Sequence, residues 1–271
     1  VKGYVEGVCD RGVRKIGIGN VPKEDLFMKA ILTSTLGGSV MENGKWVPST
    51  LMDENGQLDK IKSMWKDNAK VLLFCASPDD YVMNDSVYYC FSEAFRLSDL
   101  SVSSFEMCDD RNEAVLERLD EMDAIILAGG HVPTQNAFMK KLNLKEKLEG
   151  YQGILLALSA GSMNCAEIVY ASPELDGEAL DPDYQRWITG LGLTKVNIFP
   201  HFQYLRTVML DGFRMVEDIT YSDSMGHEFL ALNDGSYLVI EDGVETVYGE
   251  AYCIKDGCLK QICKNGEFVV L

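Results

Sequence analysis

The chain has 271 residues, of which 46% are hydrophobic and 25% are charged, a composition typical of a globular protein rather than a disordered one. Its formal net charge of −17 would repel a nucleic-acid backbone or an anionic membrane surface, so we expect neither as a partner. No apolar run in the sequence approaches the roughly 20 residues that cross a bilayer. The length is ordinary for one domain, and we predict a single α/β domain over residues 1–271.

Eight cysteines are scattered along the chain, and its first residues lack the charged-then-apolar layout of a signal peptide. Both observations favour reduced thiols and a cytoplasmic location. Cys253, Cys258 and Cys263 recur every five residues, but this is not the C-x-x-C spacing of zinc ligands. No metal site is therefore predicted.

The first predicted element is a small hairpin over residues 41–46, around the Asn43-Gly44 turn. Apolar runs rich in β-branched residues then alternate with segments of helical periodicity. The predicted strands are 71–75, 101–105, 124–127, 154–158 and 196–199, and the predicted helices lie around 57–66, 86–95, 111–119 and 135–148. This alternation predicts a mostly parallel sheet sandwiched by helices, as in flavodoxin-like folds.

After about residue 228 the pattern changes to short alternating strands separated by turns that contain Gly. The turns are Asn233-Asp-Gly235, Glu241-Asp-Gly243, Lys255-Asp-Gly257 and Lys264-Asn-Gly266. Gly readily adopts the positive φ that tight hairpins need. We therefore predict that all four are hairpin turns within a C-terminal β-meander.

The junction Ala157-Leu-Ser159-Ala-Gly161 joins an apolar strand to a helix start rich in small residues. A serine at such a turn has an exposed hydroxyl beside the free N–H groups of a helix N-terminus, which is the arrangement of a nucleophile elbow. The first small residue is Ala rather than the usual Gly, whereas the small pair after the serine is present. Ser159 is thus a candidate nucleophile, and the alternative is a turn whose small residues serve packing alone.

A serine nucleophile needs a base, and the chain has three histidines, His131, His201 and His227. His201 follows a predicted strand and Pro200, which would hold the backbone extended and aim the ring. It is therefore the candidate base, although a half-buried histidine at a strand end would give the same pattern. His131 adjoins a Gly pair and is predicted to line the substrate pocket, whereas His227 is predicted to lie in a loop.

Gly129 and Gly130 come directly after the predicted strand 124–127 and Ala128. Their backbone N–H groups can be approached closely because no Cβ intervenes. We expect Gly130 and Ala160 to supply the two donors of an oxyanion hole, unless the Gly pair merely forms a tight turn.

A carboxylate is also needed to orient the base, and Asp234 is the first choice, with Glu174 and Asp176 as alternatives. Because Asp-Gly is common in hairpins, Asp234 could equally serve its turn alone. The Gly pair, Ser159 and His201 each come just after a predicted strand. Ligand sites of open parallel sheets lie beyond the carboxyl ends of the strands, so we expect these residues to meet at one edge.

Four segments, in this order, resemble the peptidase E (α-aspartyl dipeptidase) family of serine peptidases, which also includes the cyanophycinases. They are residues 124–130, 158–164, 196–202 and 232–237. The similarity covers about residues 70–250 and leaves 1–69 as an N-terminal extension. It implies a fold related to the class I glutamine amidotransferases, with serine in place of their cysteine nucleophile. The roles it implies are nucleophile for Ser159, base for His201, and oxyanion donors for Gly130 and Ala160.

The resemblance also implies a substrate, because family members cleave short peptides with an N-terminal aspartate. It further implies that no metal or organic cofactor is required. Arg206, five residues beyond the candidate base, is the candidate cation for such a side chain. Two departures affect the expected pocket. Asp234 stands where the best-known members have Glu, and the loop 131–136 is longer than usual.

Other functions remain as alternatives to a peptidase that acts on short peptides. A non-catalytic binding or sensing module could keep the fold, and an esterase or amidohydrolase would use the same machinery. A cysteine nucleophile is disfavoured because serine occupies the elbow, and Cys75 and Cys165 lie elsewhere. A homodimer is compatible with the sequence, which does not fix the oligomeric state.

Overall fold

A computed structural model describes residues 28–271 of the chain. The strands in this part are β1 (Lys29–Thr33), β2 (Gly37–Glu42), β3 (Lys45–Leu51), β4 (Ala69–Phe74), β5 (Val102–Cys108), β6 (Ala124–Leu127), β7 (Ile154–Leu158), β8 (Ile168–Tyr170), β9 (Trp187–Thr189), β10 (Asn197–Phe199), β11 (Met209–Leu210), β12 (Phe213–Arg214), β13 (Glu228–Leu232), β14 (Tyr237–Glu241), β15 (Val244–Tyr248), β16 (Ala251–Lys255), β17 (Cys258–Cys263) and β18 (Phe268–Val270).

The α-helices of the same part are α1 (Gln57–Met64), α2 (Tyr81–Leu97), α3 (Val132–Lys141), α4 (Leu144–Lys147), α5 (Ala160–Asn164), α6 (Phe202–Leu205) and α7 (Tyr221–Asp223). Two 3-10 helices, Glu54–Gly56 and Glu113–Glu121, and a π-helical turn, Met215–Thr220, complete the helical elements. The helix predicted around 111–119 is thus a 3-10 helix, and the one predicted around 135–148 is divided into α3 and α4. Among the described residues no helix is long and apolar enough to cross a membrane.

An eight-stranded sheet forms the centre of the fold, in the order β18-β15-β14-β1-β7-β6-β4-β5. Strands β1, β7, β6, β4 and β5 pair in parallel, and β14, β15 and β18 extend the sheet by antiparallel pairing. The parallel strands are almost continuously apolar because both of their faces are covered. The predicted mostly parallel sheet flanked by helices is therefore confirmed.

The two faces of this sheet are covered by different elements. On one face, side chains such as Leu72 and Phe74 pack with α3, α4 and the 3-10 helix Glu113–Glu121. On the other face, Val71 and Leu73 pack with α1 and α2. The alternation of side chains along β4 thus supplies both layers of the core.

Strand β1 lies inside the segment predicted as an N-terminal extension, and the sequence analysis did not predict it. It pairs in parallel with β7 and antiparallel with β14, so it occupies a central position in the sheet. Its Ile31 and Leu32 side chains are fully buried, one on each face. This stretch is therefore part of the hydrophobic core.

A second, four-stranded sheet has the order β10-β13-β16-β17, and the strand predicted at 196–199 belongs to it. Strands β10 and β13 pair in parallel, whereas β13, β16 and β17 pair antiparallel. One face of this sheet packs towards the central sheet, and the other carries a separate cluster that includes Phe199 and Phe229.

Three of the predicted hairpins are confirmed. The turn at 43–44 joins β2 to β3, and the turns at 241–243 and 255–257 join β14 to β15 and β16 to β17. The hairpin predictions at 233–235 and 264–266 are wrong, because these turns carry the chain from one sheet to the other. Gly235 and Gly266 do adopt positive φ, but long-range packing decides which strands pair afterwards.

Substitution in β1 tests whether this strand belongs to the cooperative core. We expect Leu32→Ala to lower the free energy of unfolding by about 3 kcal/mol, because it leaves a cavity in a fully buried site. The control Val40→Ala, in β2 where the side chain is 45% exposed, should cost less than about 1 kcal/mol. Denaturant unfolding of both variants measures the difference, and equal losses would place β1 outside the core.

Candidate active site

Ser159 lies at the turn between β7 and α5, with φ +50° and ψ −117°. A non-glycine residue rarely adopts such a conformation, which costs on the order of 1–3 kcal/mol and persists only where surrounding contacts enforce it. The Ser159 N–H donates to the Thr33 carbonyl at 3.0 Å, and the Ser159 carbonyl accepts from the Met163 N–H at 3.1 Å. The turn therefore has the strained geometry of the predicted nucleophile elbow.

The small residues after Ser159 are required by the close packing of α5. A Cβ on Gly161 would lie 2.3 Å from the Leu127 carbonyl oxygen, so only glycine lets the helix approach β6 this closely. The Ser162 hydroxyl is fully buried, accepts from the Thr33 N–H at 2.9 Å and lies 2.8 Å from both the Thr33 and Ala157 carbonyl oxygens. These contacts fix the elbow to the ends of β1, β6 and β7.

The Gly pair after β6 lies beside the elbow. Strands β6 and β7 are in parallel register, and a Cβ on Gly129 would lie 3.1 Å from the Ser159 Cβ. A Cβ on Gly130 would lie 2.5 Å from the Ala76 Cβ, so this position also excludes a side chain. Gly130 is exposed, whereas Ala160 is buried as the first residue of α5. The backbone near Ser159 is thus open to a ligand on the Gly130 side.

His201 and Asp234 form a direct pair, with His201 Nδ1 2.7 Å from Asp234 Oδ1. Both side chains are about one-third exposed. They meet because β10 and β13 run in parallel register, with Phe199 opposite Ala231, and each residue follows the end of its strand. The rule that polar residues meet beyond the carboxyl ends of parallel strands therefore holds here in the second sheet.

Ser34 is a residue of the site that the sequence analysis missed. It is fully buried at the end of β1, and its hydroxyl oxygen accepts from the His201 N–H at 3.0 Å. The same hydroxyl donates to the Leu232 carbonyl at 3.1 Å, next to the turn that carries Asp234. The available signal was the Thr-Ser-Thr run directly after the apolar Ala30-Ile-Leu triplet, which marks a strand end.

Two consecutive residues at the end of β1 hold the backbones of the elbow and of the candidate base by hydrogen bonds. Thr33 accepts the Ser159 N–H and Ser34 accepts the His201 N–H. In the described part of the chain, no hydrogen bond joins Ser159 Oγ to His201 Nε2. Such bonds are commonly long in ligand-free enzymes and shorten once substrate is bound.

The alternative carboxylates lie elsewhere. The Glu174 backbone N–H donates to Glu178 Oε2 at 2.8 Å, and neither Glu174 nor Asp176 hydrogen bonds to His201 within residues 28–271. Although the Glu174 residue is exposed overall, its carboxyl is partly desolvated, and this desolvation together with the Glu178 charge raises the pKa of Glu174 to about 7. The geometry thus favours Asp234 as the partner of the base.

The other predicted site residues have their own contacts. Both ring nitrogens of His131 are engaged, Nδ1 by Thr134 Oγ1 at 2.8 Å and Nε2 by Glu178 Oε1 at 2.9 Å. Arg206 is exposed, and its guanidinium lies 5.4 Å from the centre of the Phe202 ring. The polar atoms of the His131 ring are thus already engaged by neighbouring side chains, and Arg206 lies over an aromatic ring.

The cysteines considered as rival nucleophiles are buried. Cys75 is 1% exposed and Cys165 is fully buried. Burial raises the pKa of both thiols, so both are neutral at physiological pH and unsuited to nucleophilic attack. Among the described residues, no group of three or more His, Cys, Asp or Glu side chains is arranged to hold a metal ion.

A serine on a strained strand-to-helix turn of an α/β fold, with a His–Asp pair anchored beside it, defines the class of α/β serine hydrolases. Comparison with known families gives a narrower assignment. The chain belongs to peptidase family S51, whose family model matches residues 49–247, and it is a serine-type peptidase. The match confirms the resemblance to peptidase E drawn from the four sequence segments.

A solved structure shows the same fold. It is the crystal structure of a candidate peptidase E protein from Listeria monocytogenes EGD-e, with a TM-score of 0.54 and 12% sequence identity. The similarity covers 87% of this chain and 98% of that chain. At this identity the likeness concerns the fold alone. No curated protein matches the chain.

Removal of the Ser34 hydroxyl tests whether this residue positions the candidate base. We expect Ser34→Ala to slow phosphonylation of Ser159 by a fluorophosphonate probe about tenfold or more, because a small displacement of a catalytic group costs much of its rate. The control Ser63→Ala removes an exposed hydroxyl on α1 and should leave the rate unchanged. A wild-type rate in Ser34→Ala would show that the backbone of His201 is held without it.

Proposed function

We propose that the protein hydrolyses short peptides through a Ser159–His201–Asp234 triad and an acyl-enzyme intermediate. The observation that carries the choice of triad is the 2.7 Å contact between His201 Nδ1 and Asp234 Oδ1. Membership of family S51 supports the serine-peptidase chemistry, and the peptidase E name of the Listeria protein supports a short peptide as the substrate.

In the first half-reaction, Ser159 Oγ attacks the scissile carbonyl carbon while His201 Nε2 takes the hydroxyl proton. Asp234 accepts the Nδ1–H hydrogen bond, which keeps the ring in the required tautomer and stabilises the imidazolium that forms. The negative charge on the tetrahedral carbonyl oxygen is stabilised by the N–H groups of Gly130 and Ala160. His201 then gives its proton to the leaving amine, and the C–N bond breaks.

In the second half-reaction, water attacks the acyl-enzyme. His201 takes a proton from the water and returns it to Ser159 Oγ as the acid leaves. Every group that reacts in these two steps belongs to the chain, to the peptide or to the attacking water. The proposal therefore names no metal or organic cofactor.

Preference for an N-terminal aspartate, with Arg206 as its cation, stays a prediction. Arg206→Ala should raise KM for unblocked Asp-Xaa dipeptides and leave Ala-Xaa dipeptides unaffected, because only the former would lose an ion pair. An equal effect on both series would assign Arg206 a structural contact with Phe202 instead.

The reaction is tested with a panel of unblocked dipeptides and tripeptides, including Asp-Xaa members, offered to the wild type and to Ser159→Ala. We expect cleavage by the wild type and a loss of roughly 10⁴-fold or more in the variant, because the nucleophile is removed. Cleavage of esters without cleavage of any peptide would favour an esterase. Silence across the panel, with no phosphonylation of Ser159, would favour a binding module.

Substitution of each carboxylate tests the third member of the triad. Asp234→Asn should lower kcat by roughly 10³–10⁴-fold with little change in KM, because it removes the carboxylate that orients the His201 ring and stabilises the positive charge of the imidazolium. The matched controls Glu174→Gln and Asp176→Asn should retain kcat within a few-fold. A larger loss in either control than in Asp234→Asn would reassign the triad.

Thiol reagents separate the two kinds of nucleophile. Iodoacetamide at pH 8 should leave peptide cleavage intact, since Cys75 and Cys165 are buried and their pKa values are raised. A fluorophosphonate probe should abolish cleavage by modifying Ser159. Inactivation by iodoacetamide that is prevented by Cys165→Ala would contradict the serine mechanism.

A further inference from the structure

Residues 171–186 connect β8 to β9 and form a long loop, here called the Glu178 loop. The Glu178 carboxylate is 16% exposed, and both of its oxygens are engaged. Oε1 lies 2.9 Å from His131 Nε2, and Oε2 accepts from the backbone N–H groups of Glu174 and Leu175 at 2.8 and 2.9 Å. One side chain thus organises its own turn and holds the residue that follows the Gly pair.

The His131 ring is fixed at both nitrogens. When Nε2–H donates to Glu178, Nδ1 is left to accept the Thr134 hydroxyl proton at 2.8 Å. His131 is also the residue that precedes α3 and directly follows Gly130. A ring held at two points therefore restrains the backbone of the candidate oxyanion donor.

The Glu178 loop is itself anchored. The Asp211 carboxylate accepts the N–H groups of Gly177 and Ala179 at 2.8 and 3.0 Å, one on each side of Glu178. Beneath the loop, one apolar cluster contains the residue after His131, the residue after Ser159 and the first residue of the loop. These members are Val132, Ala160 and Ala171. The three segments accordingly converge on a common packed base.

From these contacts we propose that Glu178 is a positioning residue of the peptidase site. By holding His131, it fixes the Gly129–Gly130 backbone beside Ser159, so that the Gly130 N–H can meet the oxyanion. The inference rests on the proposed function, because it assumes that Ser159 reacts and that Gly130 donates. Glu178 acts through His131 and does not itself touch the reacting atoms.

Glu178→Ala removes both carboxylate oxygens and so breaks the contact with His131 and the contacts with the two backbone N–H groups. The isosteric variant Glu178→Gln can keep them, because its oxygen can accept from the backbone while its NH₂ group donates to His131 Nε2, with the ring in the tautomer that donates Nδ1–H to Thr134. Glu178→Ala is therefore the disruptive variant, and Glu178→Gln is the conservative one. Asp176→Asn on the same loop removes the same charge without touching His131, and it serves as the matched control.

The test measures the rate at which a fluorophosphonate probe modifies Ser159, since this reaction needs the nucleophile, the base and the oxyanion donors but no peptide contacts. We expect Glu178→Ala to react about tenfold or more slowly than the wild type, because a displaced oxyanion donor stabilises the transition state less, and Glu178→Gln to recover much of this loss. Asp176→Asn should react at the wild-type rate. With a peptide that the wild type cleaves, the loss should fall on kcat rather than KM.

A double-mutant cycle separates action through His131 from a general loosening of the loop. If Glu178 acts through His131, Glu178→Ala combined with His131→Ala should react no more slowly than His131→Ala alone. Additive losses would overturn the inference, as would a wild-type rate in Glu178→Ala. Absence of labelling in the wild type would overturn the proposed function, and the inference with it, so the two failures are distinguishable.

Discussion

The polar end of β1 is the constraint on which the rest of the site depends. Thr33 accepts the N–H of Ser159, and the next residue, Ser34, accepts the N–H of His201. Ser159 and His201 both have a positive φ, a conformation that costs free energy for a residue with a side chain and persists where its surroundings enforce it. Because Thr33 and Ser34 are fully buried, both bonds are shielded from water, and breaking either would leave the N–H of Ser159 or of His201 without its partner.

The candidate triad is assembled across two sheets, which accounts for the departure of the turn at 233–235 from hairpin geometry. Ser159 follows a strand of the central sheet, whereas His201 follows β10 of the second sheet. Asp234 lies in the turn that carries the chain from the second sheet back to the central one. Strand β13 is already paired on both sides, with β10 and β16, so a hairpin at this turn would have to displace one of them. The pairing of β13 with β10 is what brings Asp234 to His201.

Most of the sheet and the elbow could be predicted because their signals are local. An apolar run, a turn of small residues and a polar residue after each strand are all visible in short windows, and they led to Ser159, His201 and Asp234. The roles of Ser34 and Glu178 could not be predicted in this way. Ser34 reaches His201 across 167 residues and Glu178 reaches His131 across 47, so only the folded chain shows either contact.

The Gly pair presents a conflict that the surrounding contacts resolve. A Cβ on Gly130 would collide with Ala76, and a Cβ on Gly129 would crowd Ser159. Glycine relieves both contacts, but it also leaves the backbone free to move. An oxyanion donor is useful only if it is already in place when charge develops, since reorganisation during the reaction would offset its benefit. Ala76 packs close to Gly130, and His131, held by Glu178, restrains the backbone that follows the pair. Different residues therefore supply the two properties: the glycines allow close approach because they lack side chains, and the hydrogen bond between His131 and Glu178 supplies rigidity.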